Sequence, residues 1–306
     1  MNVMGMIGHK KILGFFEKAA AENNLSHAYC FVGCNQIGKR KMARLLAARL
    51  LKTDEEKLEL NPDFFYLTRE EHETTGKMRK DIAVSQARHL KSRLSVKSWL
   101  GGYKVAIIDE AETLNDESGN ALLKTLEDSN EKTVLFLLTV DDNALLPTIR
   151  SRCQIFYFSL VPQKEMVDGL YGMGFDKKIV EEISEFSCGR PGLAINLASD
   201  ESLREYFKQE FARWTKISTK PFFKKIAAFE DLLGDKTDGV KTRDKIQESI
   251  DIWIMYWRRA MLEKPVSRAV KEIARLIDGL QETKKLVSMN VNSKLLLEQL
   301  FLKYSV

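Results

Sequence analysis

The sequence lacks the features that mark a membrane-spanning, secreted or metal-stapled chain. No apolar run approaches the roughly 20 residues needed to cross a bilayer. The residues from Met1 to Lys11 lack the apolar core of a signal peptide. The expectation is a protein that stays in the cytoplasm and makes no membrane contact. Four cysteines, Cys30, Cys34, Cys153 and Cys188, are scattered without a C-x-x-C pair, which argues against a disulfide framework and against zinc. There is no internal repeat and no low-complexity tract, which excludes a repeat array.

What is present describes globular material. A length of 306 residues sets a prior of about two domains, and 44% hydrophobic with 30% charged residues is the composition of soluble cores and surfaces. The net charge of +5 permits contact with nucleic acid without establishing it.

The most informative stretch is Val105-Ala-Ile-Ile-Asp-Glu-Ala-Glu112. Its apolar run suits a strand buried on both faces of a parallel sheet, and we take it as the central strand. Asp109 and Glu110 follow where that strand ends, and ligands of open parallel sheets collect at the carboxyl ends of strands. The competing reading is that Asp109 caps a helix. About seventy residues earlier Gly33-Cys-Asn-Gln-Ile-Gly-Lys39 follows a strand over Tyr29–Val32 and opens a helix running to about Lys52. That order is the context of a phosphate loop: Gly33 and Gly38 let backbone N–H groups turn toward phosphate, and Lys39 reaches the terminal phosphates. Glycines needed only for close packing would give the same pattern. The position after Lys39 normally carries a hydroxyl for Mg2+, and here it is Arg40, which has no oxygen to offer a metal. The expected ligand is ATP or ADP held with little or no Mg2+.

Around these motifs the pattern predicts a helix over 7–22 with Ile12, Phe15, Phe16 and Ala19 inward, and a polar hinge over 53–59. It predicts a strand over 64–67, a charged surface loop over 69–78 and a helix over 82–96. A helix capped by Asn115 and running to Asp128 follows, then a strand ending at Thr139, a helical turn over 145–152 and a last strand over 154–158. Strands alternating with helices mean a parallel sheet wrapped in helices. Beyond Val161-Pro162 nearly everything is compatible with helix. The expected domains are an α/β nucleotide fold over 1–160, a small helical unit over 161–200 and a larger helical unit over 201–306. Lys77, Arg79, Lys80, Arg88, Lys91, Arg93 and Lys97 form a basic cluster, read either as a DNA-backbone contact or as a solvated face. Trp253, Tyr256 and Trp257 at helical spacing read as core or collar packing rather than as a base-stacking platform.

Several words of the sequence then resemble one family closely. They are Ser26-His27-Ala28-Tyr29, Asn61-Pro62-Asp63, Gly101-Gly102-Tyr103-Lys104-Val105, Asp109-Glu110-Ala111-Glu112, Asn120-Ala121-Leu122-Leu123-Lys124-Thr125-Leu126-Glu127 and Leu146-Pro147-Thr148-Ile149-Arg150-Ser151-Arg152-Cys153, with Asn290-Val291-Asn292 near the end. The chain is similar to the clamp-loader subunits of bacterial DNA polymerase III within the AAA+ P-loop ATPases, and among them to the delta-prime type. The resemblance implies an AAA+ domain, a helical lid and a helical collar in a five-membered ring with gamma/tau and delta subunits, setting a sliding clamp on primed DNA. It also implies that Arg152 reaches into a neighbour's ATP site, that Asp109 and Glu110 are the metal-binding and water-orienting acids, and that Thr139 is the polar sensor. Where a hydrolysing member reads Gly-Ser-x-Arg, this chain reads Gly189-Arg190-Pro191-Gly192. With Arg40, that is a second loss, and it implies a subunit that lends its finger without hydrolysing. The alternative is an ATP-hydrolysing motor subunit of the gamma/tau type.

Overall fold

Helices and strands alternate from Lys10 to Tyr157, following the hydrophobic pattern. The computed structural model describes residues 5–71, 79–127, 132–218, 239–263, 268–288 and 291–303. The elements are α1 (Lys10–Ala21), β1 (Ala28–Val32), α2 (Lys39–Leu51), β2 (Phe64–Leu67), α3 (Val84–Ser95), β3 (Lys104–Ile108), α4 (Asp116–Glu127), β4 (Thr133–Thr139), α5 (Pro147–Arg150) and β5 (Gln154–Tyr157). The five strands are all parallel in the order β2-β3-β4-β1-β5. The strand that leads to Asp109 is therefore not central as expected. The centre belongs to β4, whose seven residues are all buried and which pairs with β1 on one side and β3 on the other.

Alternation along the strands divides the core in two. Tyr29, Phe31, Val105, Ile107 and Phe136 face α1 and α2, where they meet Phe16, Met42, Leu45 and Leu46. Ala28, Cys30, Ala106, Ile108, Leu135 and Leu137 face α3 and α4 with Leu90, Leu94, Leu122 and Leu126. Because all strands run the same way, β1, β3 and β4 deliver the phosphate loop, Asp109 and Thr139 to one edge of the sheet.

Element ends differ from expectation for local reasons. α1 starts at Lys10 because Gly8 and His9 hold φ of 82° and 57°, which a right-handed helix cannot continue. α3 starts at Val84 because Ile82 bridges to Leu114 instead. The polar hinge contains a 3-10 turn, Glu55–Leu60, that buries Leu58. Asn115 caps α4 as expected, its Oδ1 accepting from the Ser118 N–H at 2.9 Å. Buried Asp63 accepts from Ser98 Oγ and from the N–H groups of Trp99 and Leu100, which ties the start of β2 to the turn before β3. Thr74-Thr75-Gly76, Lys77, Asp128 and Asn290 lie outside the described residues.

The chain forms two compact units. One comprises Met1–Gly174 with Gly189–Leu193 and contains the sheet, the helices named so far and α6 (Gln163–Gly172). The other, Phe175–Cys188 with Ala194–Val306, is helical in its described residues: α7 (Lys177–Phe186), most of α8 (Pro191–Ser199), α9 (Glu201–Ser218), α10 (Gly239–Glu263), α11 (Arg268–Ser288) and α12 (Ser293–Lys303). Its core gathers Ile250, Trp253, Ile254, Leu276, Leu280, Leu297 and Leu300, with Trp257 buried and Tyr256 packed alongside. The aromatic group of α10 is thus core. No described helix is long and apolar enough to cross a membrane.

Candidate nucleotide site

β1 ends at Val32, and the chain turns through Gly33–Gly38 into α2. The Gly33 N–H donates to Thr139 O at 3.1 Å, which fixes the loop to the end of the central strand. Gly38 sits at φ 113° as the N-cap of α2, a conformation open to glycine at little cost. Lys39 is buried, and its ammonium donates back to the carbonyls of Gly33 and Cys34. Burial lowers its pKa, with the neighbouring acids working against that shift. The predicted loop residues Gly33, Gly38 and Lys39 therefore do come together at the positive end of a helix, a geometry made for anions.

The acids of β3 are the unexpected part. Asp109 is buried and fully engaged. Its Oδ2 accepts from Arg40 Nε at 2.5 Å and from the Tyr66 hydroxyl at 2.6 Å, and its Oδ1 accepts from the Glu110 N–H at 2.9 Å. Glu110 is held in the left-handed region at φ 53°, and Arg69 grips its carboxylate with Nε at 2.8 Å and Nη2 at 2.7 Å. That fork is the chief cause holding the Glu110 carboxyl below its ordinary pKa. Tyr66 is raised, by burial first and by its bond to Asp109 second. Arg69 was expected in a surface loop; its side chain is 28% exposed and belongs to the site.

A magnesium ion requires oxygen ligands at about 2.1 Å in octahedral array. The residues here do not fit it. The hydroxyl position is a guanidinium, and both oxygens of Asp109 already accept hydrogen bonds. Among the described residues no three His, Cys, Asp or Glu side chains gather as a metal-binding group.

Thr139 is buried beside the loop, but its hydroxyl donates to Asp141 O at 2.9 Å and accepts from the Asp141 N–H, so it closes a local turn. Gly192, which the resemblance aligns with the arginine of Gly-Ser-x-Arg, donates its N–H to Gln36 O at 2.8 Å. A Cβ there would stand 2.8 Å from that same oxygen, so the close approach needs glycine. His9 donates from Nε2 to Ile37 O at 3.0 Å and packs on Phe158, and burial lowers its pKa. Tyr66 and His9 had no distinguishing pattern in the sequence, since their roles come from which strand and which loop lie beside them.

Arg152 lies elsewhere, just past α5. Its Nη2 donates to Glu127 Oε1 at 2.6 Å and its Nη1 to Thr148 O at 2.9 Å, with the side chain 34% exposed. Among the described residues no contact joins it to Lys39, Asp109 or Glu110. Of the basic cluster, Arg88 and Lys91 line an open cleft of about 660 Å³ with Glu117 and Asn120, while Arg93 lies over the Phe65 ring at 5.2 Å.

Comparison with known proteins gives a consistent set. The family described as DNA polymerase III, delta subunit, matches residues 8–162. The subunit delta' of Pseudomonas aeruginosa is 38% identical over 142 residues, covering 42% of this chain and 42% of that protein. Its Escherichia coli counterpart is 33% identical over 138 residues, covering 45% and 40%. The subunit tau/gamma of Haemophilus influenzae is 30% identical over 172 residues, covering 53% and 24%. The chain thus spans less than half the length of each of these relatives. Among solved structures, a gamma subunit-related protein of Thermotoga maritima superposes with a TM-score of 0.55 at 18% identity, covering 95% of this chain and 98% of that one, which speaks for a shared fold.

Proposed function

The chain belongs to the DNA polymerase III delta-subunit family, of the delta-prime type, and from that premise we propose that it is the subunit of a bacterial clamp loader that lends an arginine to a neighbour's ATP site. In this reading it assembles in the cytoplasm with gamma/tau and delta subunits, and the ring they form sets a sliding clamp on primed DNA. The segments 161–200 and 201–306 act as lid and collar. The basic helix α3 runs beside the DNA backbone, where lysine and arginine bind without reading sequence.

The observation that carries the reading is the state of Arg152. Its partner Glu127 is 47% exposed, and a pair so open to water contributes about 0–1 kcal/mol. A triphosphate presented by a neighbouring subunit competes easily for that guanidinium, and in the transition state the extra positive charge stabilises what develops on the transferred phosphoryl group. Within this chain Gly33, Gly38 and Lys39 hold the phosphates of ATP or ADP, Asp109 lies beside them, and Glu110 and Thr139 lie near the terminal phosphate. Magnesium is held weakly or not at all and zinc is not used. The chain is therefore a component of the loader's ATPase and does not hydrolyse ATP by itself.

The test is Arg152→Ala in the reconstituted ring. The variant chain should melt like the wild type, while turnover at the one neighbouring site falls by roughly 10³ or more. An unchanged ring rate would remove the finger. Hydrolysis by the purified chain, abolished in Lys39→Ala, would favour the gamma/tau type of motor subunit instead.

A further inference from the structure

We propose that Arg40 and Arg69 supply, as covalently attached charge, what a divalent ion supplies in a metal-loaded phosphate site, so that this pocket takes a nucleoside diphosphate or triphosphate free of metal. The inference rests on the reading of Gly33–Lys39 as a nucleotide loop and deepens it by naming the side chains that take the place of the ion.

Charge comes first. Asp109, Glu110 and Glu112 bring −3, Arg40 and Arg69 bring +2, and Lys39 adds +1, leaving 0 beside the loop. With a hydroxyl at position 40, a solvated Arg69 and a bound divalent ion, the same acids and the same lysine would also sum to 0. The electrostatics facing a phosphate are thus already those of a metal-loaded site.

Geometry agrees. For an ion to sit on Asp109 Oδ2 it would have to displace both Arg40 Nε and the Tyr66 hydroxyl from one oxygen. Glu110 offers no alternative, because both its oxygens lie in the Arg69 fork. Arg40, by contrast, is hydrogen-bonded among the described residues through its Nε alone, with its guanidinium over the Tyr66 ring at 6.0 Å. Its side chain is 63% exposed, and its two Nη groups carry no hydrogen bond among the described residues. They are the donors left over for phosphate oxygens, and guanidinium N–H groups suit that task. Tyr66 is a positioning residue: its hydroxyl shares Oδ2 with Arg40 and holds the carboxylate at the head of the pair. Arg190, two residues before the Gly192 N–H that meets Gln36 O, has a buried Nε without a hydrogen-bond partner.

The experiment is a titration of the full chain with fluorescent ADP, in magnesium and in EDTA, together with electron paramagnetic resonance of added Mn2+. For the wild type magnesium should not tighten binding, and should weaken it only as far as it sequesters free ADP, while the Mn2+ signal with ADP should be the same with and without the chain. Arg40→Ser should lose about tenfold in affinity in EDTA, the scale of one charge-assisted hydrogen bond, and recover it in magnesium with ADP-dependent immobilisation of Mn2+. Arg40→Lys, which keeps the charge, should remain indifferent to metal. Wild-type affinity that rises tenfold or more with magnesium, or Mn2+ immobilised on the wild-type complex, would overturn the inference while leaving the nucleotide site standing. No ADP binding in either buffer would overturn both. The wild-type comparison decides even if a variant fails to fold.

Discussion

Each acid at the end of β3 is answered by an arginine, and the two pairs differ in how far water reaches them. Arg40 stretches across an open surface to a buried carboxylate, whereas Arg69 and Glu110 are both about a third exposed and form a two-pronged fork. Because the fork lowers the Glu110 pKa below its ordinary 4.5, the pair adds stability that is fully present above pH 4.5 and is lost as pH falls through the depressed folded value. Screening limits that contribution to roughly 1 kcal/mol. Arg69→Met should therefore lower the urea midpoint at neutral pH, and the gap from wild type should close in acid. A gap of the same size at pH 3 would mean that the arginine stem, and not its charge, does the stabilising. His9 adds a slope of the same sign at higher pH: burial favours its neutral form, so stability falls as pH drops below 6.5.

At the scale of elements, the start of α8 decides what the pocket can become. The backbone of Gly192 presses against the carbonyl of Gln36, itself at φ 61° in the phosphate loop. Gly192→Arg should accordingly fail to rebuild a sensor. The added Cβ forces the helix start away from the loop at a cost of about 1–3 kcal/mol, visible as a lower Tm, and Gly192→Ala should show most of the same loss. A Gly192→Arg chain as stable as wild type would show that the loop yields. The sheet strands were legible to within a residue or so because β1, β3 and β4 are continuous apolar runs between turn signals. The face of α1 was not. Ile12, Phe15, Phe16 and Ala19 satisfy a helical period, yet the buried set is Leu13, Phe16 and Ala19, and Phe15 is 38% exposed against Phe156. A 3.6-residue period leaves the phase open by one position, and the wedge of Phe16 between Tyr29 and Phe156 settles it. The site shows the same division. Its loop and acids follow from local words, whereas the Tyr66 and Arg69 contacts require that β2 lie beside β3, which strand spacing does not encode.

At the scale of the whole chain, the two compact units have separate cores, and the proposed work is divided between them. The sheet unit carries the phosphate loop and Arg152, but an arginine that serves a neighbour is useful only if a ring holds the two subunits in register, which is the proposed task of the helical unit. Among the described residues Trp253 is the largest fully buried side chain, and it belongs to that unit's core. Trp253→Ala should cost about 3–5 kcal/mol and act on one unit alone. Calorimetry is expected to show an early transition from the helical unit, with the sheet unit melting near its wild-type temperature and fluorescent ADP still bound. If assembly is what delivers the finger, the same variant added to the other loader subunits should leave ring ATPase as low as Arg152→Ala does, although Arg152 is untouched. A single transition shifted as a whole would mean that the units fold as one. Normal ring ATPase together with a collapsed helical unit would mean that the finger reaches its neighbour without the collar.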